Sequence, residues 1–237
     1  MKVKYFDLKN KRVFISGGGS GIGATIVEHF CEQHSEVYFI DINIKASKQL
    51  IKKIKKKRFR VPKFIECNVL DIKKLQNIIK DIISKKGPIH CLINSAANDD
   101  RHSTEQVDEK YWENRMGINL KHYFFAAQSV VKGMKKIKSG SIVNLSSVSW
   151  VLGEGDKVVY ETAKSAVIGL TRSFAQEFGK YNIRTNSVIP GSIATERQIK
   201  NWLTPKYKKL ILDSQALKRQ LKPCLLYTSP SPRDSFR

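Results

Sequence analysis

The chain has 237 residues, and its 43 Lys and Arg against 21 Asp and Glu give a formal net charge of +22. A hydrophobic fraction of 41% and a charged fraction of 27% are typical of a globular protein, and they exclude collagen-like, wholly disordered and disulfide-stabilised scaffolds. The sequence contains no run of 18 apolar residues and no secretory signal. We therefore expect a cytoplasmic protein without a membrane partner.

Short runs of β-branched residues alternate with helical periods along most of the chain. Strands are predicted at residues 12–16, 37–41, 63–67, 89–94, 141–146 and 183–189. Helices are predicted at residues 21–33, 71–85, 111–137 and 159–181, with a basic helix between the second and third strands. Such alternation requires right-handed crossovers and a parallel sheet that is covered on both faces. The sequence thus predicts an α/β fold, a single doubly wound Rossmann domain.

The last residues break this pattern, because from Cys224 onward the chain has no period and carries two prolines. The stretch matches one reading frame of a transposase-type sequencing adapter. We therefore predict a domain at residues 1–223 that is C-terminally truncated, and a non-native tail at residues 224–237. A disordered natural tail is the alternative.

The positive charge has two interpretations. Nucleic-acid sites favour Arg and interleaved aromatic residues, whereas this chain has 32 Lys and only 11 Arg. The densest basic stretch, residues 52–58, has apolar neighbours at helical spacing, which favours a solvated helix face over a nucleic-acid partner. The four cysteines lie at no metal-ligand spacing, so we predict reduced thiols and no metal site.

A glycine-rich turn follows the first predicted strand. Gly17, Gly21 and Gly23 lie between this strand and the first helix, with Ser20 and Ile22 inside the turn. Glycine lets the backbone approach a pyrophosphate, and the helix N-terminus supplies N–H donors. A tight turn without a ligand is the alternative, but the strand before and the helix after favour a dinucleotide site.

Asp41 ends the second predicted strand, 18 residues after Gly23. A carboxylate at this place can accept hydrogen bonds from both ribose hydroxyls of an adenosine and repels a 2′-phosphate, which favours NAD over NADP. Ser20 agrees with NAD, because the glycine turn holds no Lys or Arg. The alternative role of Asp41 is to cap a helix.

Tyr160 and Lys164 are four residues apart and therefore share one helix face. An ammonium beside a phenol stabilises the phenolate, which suits acid/base chemistry. Ser147 ends the fifth predicted strand, and the carboxyl ends of parallel strands face the cofactor crevice. Each residue also has a purely structural interpretation: a turn, a packed phenol and a solvated lysine.

In this order and at these spacings, the chain resembles the short-chain dehydrogenase/reductase family over residues 6–223. The further matching residues are Asn68, Val69, Asn94, Ala96, Asn119, Pro190, Gly191 and Thr195. The resemblance implies an oxidoreductase with a nicotinamide cofactor and, for the full-length protein, a homo-oligomer. Two departures stand out. The family's Asn-Asn-Ala-Gly turn reads Asn-Ser-Ala-Ala at residues 94–97, and family members continue past residue 223 with a helix and a final strand.

The resemblance also implies roles for individual residues. Tyr160 is the general acid/base, Ser147 orients the reacting oxygen, and Lys164 holds the nicotinamide ribose and tunes Tyr160. Asn119 supports a proton relay through water. The implied cofactor contacts are Gly17, Ser20, Gly21, Ile22, Gly23, Asp41, Asn68 and Val69 beside the adenine, Asn94, Ala96, Tyr160, Lys164, Pro190, and Ile193 and Thr195 beside the nicotinamide.

Finer segments resemble bacterial aldose dehydrogenases, including galactose 1-dehydrogenase-like enzymes. They are residues 98–102, 149–150, 195–198, 202–205 and 215–219. The resemblance implies that a sugar hydroxyl is oxidised to a lactone, with Asn98, Glu154 and Gln198 as candidate substrate contacts. One alternative is a dehydrogenase of the same family that acts on another alcohol or ketone. The other is a non-catalytic nucleotide-binding protein, against which the intact catalytic set argues.

Overall fold

Six parallel strands form one sheet in the computed structural model, which describes residues 4–226. The strands are β1 (Arg12–Ser16), β2 (Glu36–Asp41), β3 (Lys63–Glu66), β4 (Cys91–Asn94), β5 (Gly140–Leu145) and β6 (Ile183–Val188). Their order in the sheet is β3-β2-β1-β4-β5-β6. Each predicted strand is present, and the doubly wound α/β fold is confirmed.

Nine α-helices in the described residues connect and flank the strands. They are α1 (Gly21–Glu32), α2 (Ile44–Lys56), α3 (Ile72–Lys86), α4 (Glu109–Met116), α5 (His122–Lys136), α6 (Ser149–Leu152), α7 (Val158–Phe178), α8 (Glu196–Asn201) and α9 (Pro205–Ser214). None of the helices between residues 4 and 226 is long and apolar enough to cross a membrane.

Successive side chains of a strand point to opposite faces of the sheet, and helices cover both faces, so the sheet is buried on both sides. Phe14 of β1 packs in one core cluster with residues of α3, α5 and α7. Its neighbours Val13 and Ile15 pack in the other cluster, with residues of α1 and α2. The apolar residues of the central strands therefore hold two helical layers, one on each face of the sheet.

The order of the strands along the sheet reverses between β1 and β4, which are parallel neighbours. Ser16 of β1 lies opposite Ile40 of β2 on one side and opposite Asn94 of β4 on the other. The connection after β1 runs to one face of the sheet and the connection after β4 to the other. A crevice opens at such a reversal, at the carboxyl ends of the strands.

The helix predicted over residues 111–137 is interrupted, which is a difference from the sequence analysis. A π-helical turn at Gly117–Lys121 separates α4 from α5. Apolar periodicity does not reveal the extra residue that such a turn contains. The turn places the side chain of Asn119 inside the protein, where it is fully buried.

The connections from helix to strand share one backbone feature. Each contains one residue with positive φ, namely His34, Arg58, Gly87, Lys138 and Asn182. A left-handed residue commonly ends a helix, and glycine adopts this conformation with the least strain. Four of these five residues carry side chains, so the turns at the amino edge of the sheet hold some backbone strain.

The basic helix α2 packs its apolar side on the sheet and exposes its lysines. Leu50 and Ile54 are buried, whereas Lys53 and Lys57 (the residue after α2) form ion pairs with Glu28 of α1. The predicted boundary between residues 1–223 and a tail at 224–237 stays a prediction. Residues 224–226 belong to a short 3-10 turn, and residues 227–237 lie outside the described part.

Candidate active site

A cleft of about 1150 Å³ runs along the carboxyl edge of the sheet. Its walls come from the connections after the strands β1 to β6 and from the helices α8 and α9. The predicted residues that line it are Gly17, Ser20, Gly21, Ile22, Gly23, Asp41, Asn68, Val69, Ala96, Ser147, Tyr160, Lys164, Pro190, Ile193 and Thr195. Asn94 and Asn119 are absent from its lining and lie behind it.

The glycine turn is folded too tightly for side chains. A Cβ on Gly23 would lie 1.9 Å from the carbonyl oxygen of Gly17, and a Cβ on Gly17 would lie 2.6 Å from Cα of Ala96. Gly17 also has a φ of +70°, which favours glycine. The N-H groups of Gly17 and Gly18 both donate to the carbonyl oxygen of Ile40, which ties the turn to β2.

The N-terminus of α1 faces this turn without a side-chain cap. Ser20 occupies the N-cap position, but its hydroxyl makes no capping hydrogen bond and the residue is exposed. The first turn of the helix therefore keeps N–H donors for an anion. The turn and the helix end together fit the pyrophosphate of a dinucleotide.

Asp41 is fixed at the other side of the turn. One carboxylate oxygen accepts a hydrogen bond from Gly19 N at 2.8 Å, and the other accepts one from Asn43 N at 2.8 Å. Asn43, not Asp41, is the N-cap of α2. The capping role considered for Asp41 is thus taken by its neighbour, and its negative charge remains at the edge of the cleft.

Tyr160 and Ser147 both line the cleft. Ser147 Oγ lies 2.8 Å from Ser149 Oγ. Burial raises the pKa of Tyr160, and the Ser147 hydroxyl opposes that shift. Ser149 N also donates to Ser147 Oγ at 3.2 Å, so the Ser147 side chain is held in one orientation.

Lys164 lies one helical turn after Tyr160 and is buried. Its Nζ donates to Tyr123 Oη at 2.9 Å and to the carbonyl oxygen of Leu145 at 2.8 Å, and it lies 5.6 Å from the centre of the Tyr160 ring. Burial lowers the pKa of Lys164 to about 7, while the charge of Asp99 opposes the shift. Because burial disfavours the ammonium form, Lys164 stays charged only through the hydrogen bonds that it donates to these acceptors and through the charge of Asp99.

Asn119 and Asn94 act on the backbone around the cleft. The Asn119 amide donates to the carbonyl oxygen of Asn98 at 3.0 Å and accepts from Asn98 N at 2.8 Å. Asn94 donates to Asn144 Oδ1 at 2.9 Å, between β4 and β5. Asn119 thus joins the π-helical turn to the segment that leaves β4. Asn94 joins the end of β4 to β5.

The turn that departs from the family pattern is held by a buried serine. Ser16 Oγ accepts hydrogen bonds from Ser95 N at 3.1 Å and Ala96 N at 3.3 Å, and it lies 3.3 Å from His122 Nε2. Because the hydroxyl already accepts two N–H groups, its own proton is free to go to His122. The change to Ser95 leaves these backbone contacts intact.

Charged side chains close the end of the cleft beyond Tyr160. Arg197 of α8 contacts Asp99 at 3.2 Å and Asp100 at 2.6 Å, and Gln198 Nε2 donates to Asp99 Oδ2 at 2.5 Å. Arg101 forms an ion pair with Asp156 and stacks 4.7 Å from the Trp202 ring. These contacts fasten α8 and the following residues over the cleft.

Two of the three candidate substrate contacts line this end with side chains that have partners. Gln198 bonds Asp99, and Glu154 forms an ion pair with Lys157. Asn98 also lines the cleft, but its Oδ1 accepts from Asp100 N at 2.8 Å. Asn98 therefore stabilises its own turn, and Glu154 is the exposed residue of the three.

Sequence reasoning did not identify Tyr123 or Asp99 as parts of this site. Tyr123 lies in an apolar stretch of α5, where an aromatic residue indicates packing only. Asp99 lies in the segment of residues 98–102, which resembled aldose dehydrogenases as a whole and gave Asp99 no role of its own. Ser149 lies in the segment 149–150 that resembled the aldose dehydrogenases, but the hydroxyl contacts of Tyr123 with Ala96, Leu145 and Lys164 arise from distant parts of the chain.

The family profile described as short chain dehydrogenase matches residues 11–205. This chain belongs to the short-chain dehydrogenase family. It is an oxidoreductase of the α/β class, and the family uses a nicotinamide cofactor. When bound, that cofactor supplies the hydride acceptor or donor, and the glycine turn, the uncapped end of α1 and Asp41 fit it.

Two curated relatives and one solved structure illustrate the similarity. The chain is 38% identical over 231 residues to the probable galactose dehydrogenase of Rhizobium meliloti, covering 95% of this chain and 90% of that protein. It is 40% identical over 219 residues to a D-xylose 1-dehydrogenase of Caulobacter vibrioides, covering 92% and 86%. A 3-oxoacyl-[acyl-carrier protein] reductase from Brucella melitensis shares the fold, with a TM-score of 0.86, 24% identity and coverage of 100% and 92%.

Proposed function

We propose that this short-chain dehydrogenase oxidises the anomeric hydroxyl of an aldose to a lactone, with NAD as the hydride acceptor. The observation that carries the proposal is the combination of the Ser147, Tyr160 and Lys164 cluster with relatives named for galactose and D-xylose. The product and the electron balance follow from the reaction class. The anomeric hydroxyl loses its proton to the protein, and the hydrogen on the anomeric carbon leaves as hydride to the cofactor as the C=O bond forms.

The polar end of the cleft supports a sugar as the substrate. Asp99, Glu154 and Gln198 line it together with the catalytic cluster. Recognition of a polyol needs several converging donors and acceptors, and a carboxylate beside an amide supplies both. A lipid-like alcohol would have no donors or acceptors along its chain to exchange with these groups.

The proton path is short in this proposal. Ser147 donates a hydrogen bond to the sugar oxygen, and the Tyr160 phenolate takes the hydroxyl proton at its Oη atom. The Lys164 ammonium stabilises that phenolate through its charge. Since burial raises the pKa of Tyr160, we expect the oxidation to be faster at alkaline pH.

NAD is the proposed cofactor because of the charge at the end of β2. Asp41 is held by two backbone N–H groups, and the other lining residues after β2 are Ile42, Asn43 and Ala46. A carboxylate in this position accepts ribose hydroxyls and repels a 2′-phosphate. No cationic side chain stands among these four residues to attract that phosphate.

The deciding experiment follows reduction of NAD by a panel of D-galactose, D-xylose, other aldoses, polyols and hydroxysteroids. We expect reduced cofactor from at least one aldose and a loss of about 100-fold or more in Tyr160→Phe, since a positioned acid/base group contributes about that much. Tyr38→Phe is the matched control, because its hydroxyl contacts Glu36 far from the cleft.

Other results have distinct meanings. Turnover of a non-sugar alcohol alone would keep the family and reject the sugar. Tight NAD binding without turnover of any compound would support the non-catalytic alternative. The cytoplasmic location and a homo-oligomer of the complete protein remain parts of this proposal, to be checked by fractionation and by light scattering.

A further inference from the structure

Tyr123 is fully buried and lies directly behind the catalytic cluster. It belongs to α5, and its ring meets the His122 ring edge-on with 4.5 Å between the ring centres. Its hydroxyl is within 2.9 Å of Lys164 Nζ and 3.0 Å of the carbonyl oxygen of Leu145. A buried phenol with two short polar contacts contributes more than packing.

The direction of these hydrogen bonds follows from the groups involved. Lys164 as an ammonium has only donors, so the Tyr123 oxygen accepts from it. The Tyr123 proton then goes to the carbonyl oxygen of Leu145, which also accepts from Lys164. Tyr123 and Leu145 thus satisfy two of the three N–H groups of Lys164, and one N–H is left for a ligand in the cleft that Lys164 lines.

We propose that Tyr123 is a positioning residue for the oxidation: it keeps Lys164 charged and in place beside Tyr160, and so sets the pH range in which Tyr160 can accept a proton. The inference rests on the proposed roles of Tyr160 and Lys164. It concerns a residue that never touches the substrate and acts through the lysine.

The electrostatics support this assignment. A buried ammonium is costly unless its hydrogen bonds are satisfied, and burial already lowers the pKa of Lys164 to about 7. Burial raises the pKa of Tyr123 far above its usual value, so Tyr123 stays neutral and does not compete for the proton. Without its oxygen, Lys164 would keep only the Leu145 carbonyl, and the neutral amine would be favoured.

Within residues 4–226, Lys164 is the ionisable group that hydrogen-bonds the Tyr123 hydroxyl, whose other partners are the carbonyl oxygens of Ala96 and Leu145. His122 of α5 stays neutral, since burial lowers its pKa to about 3. The negative charge of Asp99, on the segment after β4, favours the charged lysine. Glu154 and Glu161 act on Tyr160 and oppose its ionisation. A change in the behaviour of Lys164 in Tyr123→Phe is therefore due to the lost hydroxyl.

The first measurement titrates Lys164 directly and needs no substrate. Lysine labelled with carbon-13 at Cε gives a signal for Lys164, which is assigned by its absence in Lys164→Met. Hydrogen bonds to charged groups are the strong ones, and each tenfold change in the equilibrium is one pH unit. We expect the titration midpoint of Lys164 to fall by about one pH unit in Tyr123→Phe and to stay unchanged in Tyr38→Phe.

The second measurement is the pH profile of kcat/KM for aldose oxidation. We expect kcat/KM of Tyr123→Phe to fall relative to the parent near and below pH 7, where Lys164 is charged only in the parent, and to approach the parent value at higher pH. An unchanged midpoint together with an unchanged pH profile would overturn the proposal. If no aldose is oxidised at all, the proposed function fails, and the midpoint alone still decides whether Tyr123 controls Lys164.

Thermal unfolding checks that the variant is folded. If Tyr123→Phe fails to fold, 3-fluorotyrosine placed at position 123 alone keeps the hydroxyl and the ring while weakening the oxygen as an acceptor. We then expect a smaller shift of the Lys164 midpoint in the same direction. A midpoint that stays at the value of the parent protein in this variant would also contradict the inference.

Discussion

Asp41 combines two tasks in one side chain. Its oxygens hold the backbone of Gly19 and Asn43, which shapes the turn, and its charge faces the place proposed for the adenosine ribose. An amide at this position keeps the shape of the side chain and removes the charge, but its single oxygen can accept from only one of the two N–H groups. Like charges brought together in an interface cost several kcal/mol, which is enough to set a cofactor preference.

Asp41→Asn should shift the enzyme toward NADP. We expect the ratio of kcat/KM for NAD to that for NADP to fall by about tenfold or more, since the repulsion of the 2′-phosphate is removed. Steady-state kinetics with both cofactors and one aldose measure it. Glu66→Gln is the control: Glu66 lies opposite Asp41 on β3 and is exposed, and it does not line the cleft. An equal shift in both variants would mean that only overall charge matters.

Among the elements, the turns at the amino edge of the sheet are the least relaxed. Lys138, between α5 and β5, has a φ of +47° and an exposed side chain. A residue with a Cβ pays about 1 kcal/mol or more for this conformation, whereas glycine does not. Glycine gains more freedom in the unfolded chain, which offsets part of the benefit.

Lys138→Gly should therefore stabilise the protein by about 0.5–1 kcal/mol. The free energy of unfolding from urea denaturation tests this, with activity expected to be unchanged because the turn is at the edge opposite the cleft. Lys132→Gly is the matched control. It lies exposed inside α5, where the same replacement costs about 1 kcal/mol. Destabilisation by Lys138→Gly would show that its side chain contributes more than the strain costs.

The secondary-structure elements differ in how well the sequence alone predicts them. Strands such as β1 and β2 were predictable because buried parallel strands are continuous apolar runs. The glycine turn was predictable because its residue types are required locally. The π-helical turn was not, since one extra residue leaves the apolar pattern of the flanking helices intact. The contacts of Tyr123 with Lys164 join residues 41 positions apart, and no local pattern encodes them.

At the scale of the whole molecule, basic residues outnumber acidic residues and give a net charge of +22. Several acidic residues are already paired, such as Glu28 with Lys53 and Lys57. Most lysines of α2 therefore repel their neighbours through solvent. Repulsion of this kind acts over the Debye length, which falls from about 30 Å at 0.01 M salt to about 8 Å at 0.15 M.

Added salt should stabilise this protein. We expect Tm to rise by a few degrees, on the order of 1 kcal/mol, between these two salt concentrations, because screening relieves net repulsion more than it weakens the ion pairs. Thermal unfolding in NaCl and in sodium acetate measures it and separates screening from the binding of one particular anion. A double variant with Lys48→Glu and Lys52→Glu lowers the net charge by four and should show a smaller rise. A lower Tm at high salt would mean that the ion pairs dominate.

The parallel sheet separates two kinds of evolutionary freedom. All six strands point the same way, so every connection that lines the cleft leaves the carboxyl end of a strand. The five positive-φ residues of the helix-to-strand connections lie at the amino ends. Replacements that relax those turns can accumulate without touching the reaction. Stability gained at one edge can then compensate for destabilising changes at the other, where a new substrate would have to be accommodated. Selection for a different sugar could therefore begin from a chain that was first relaxed at its amino edge.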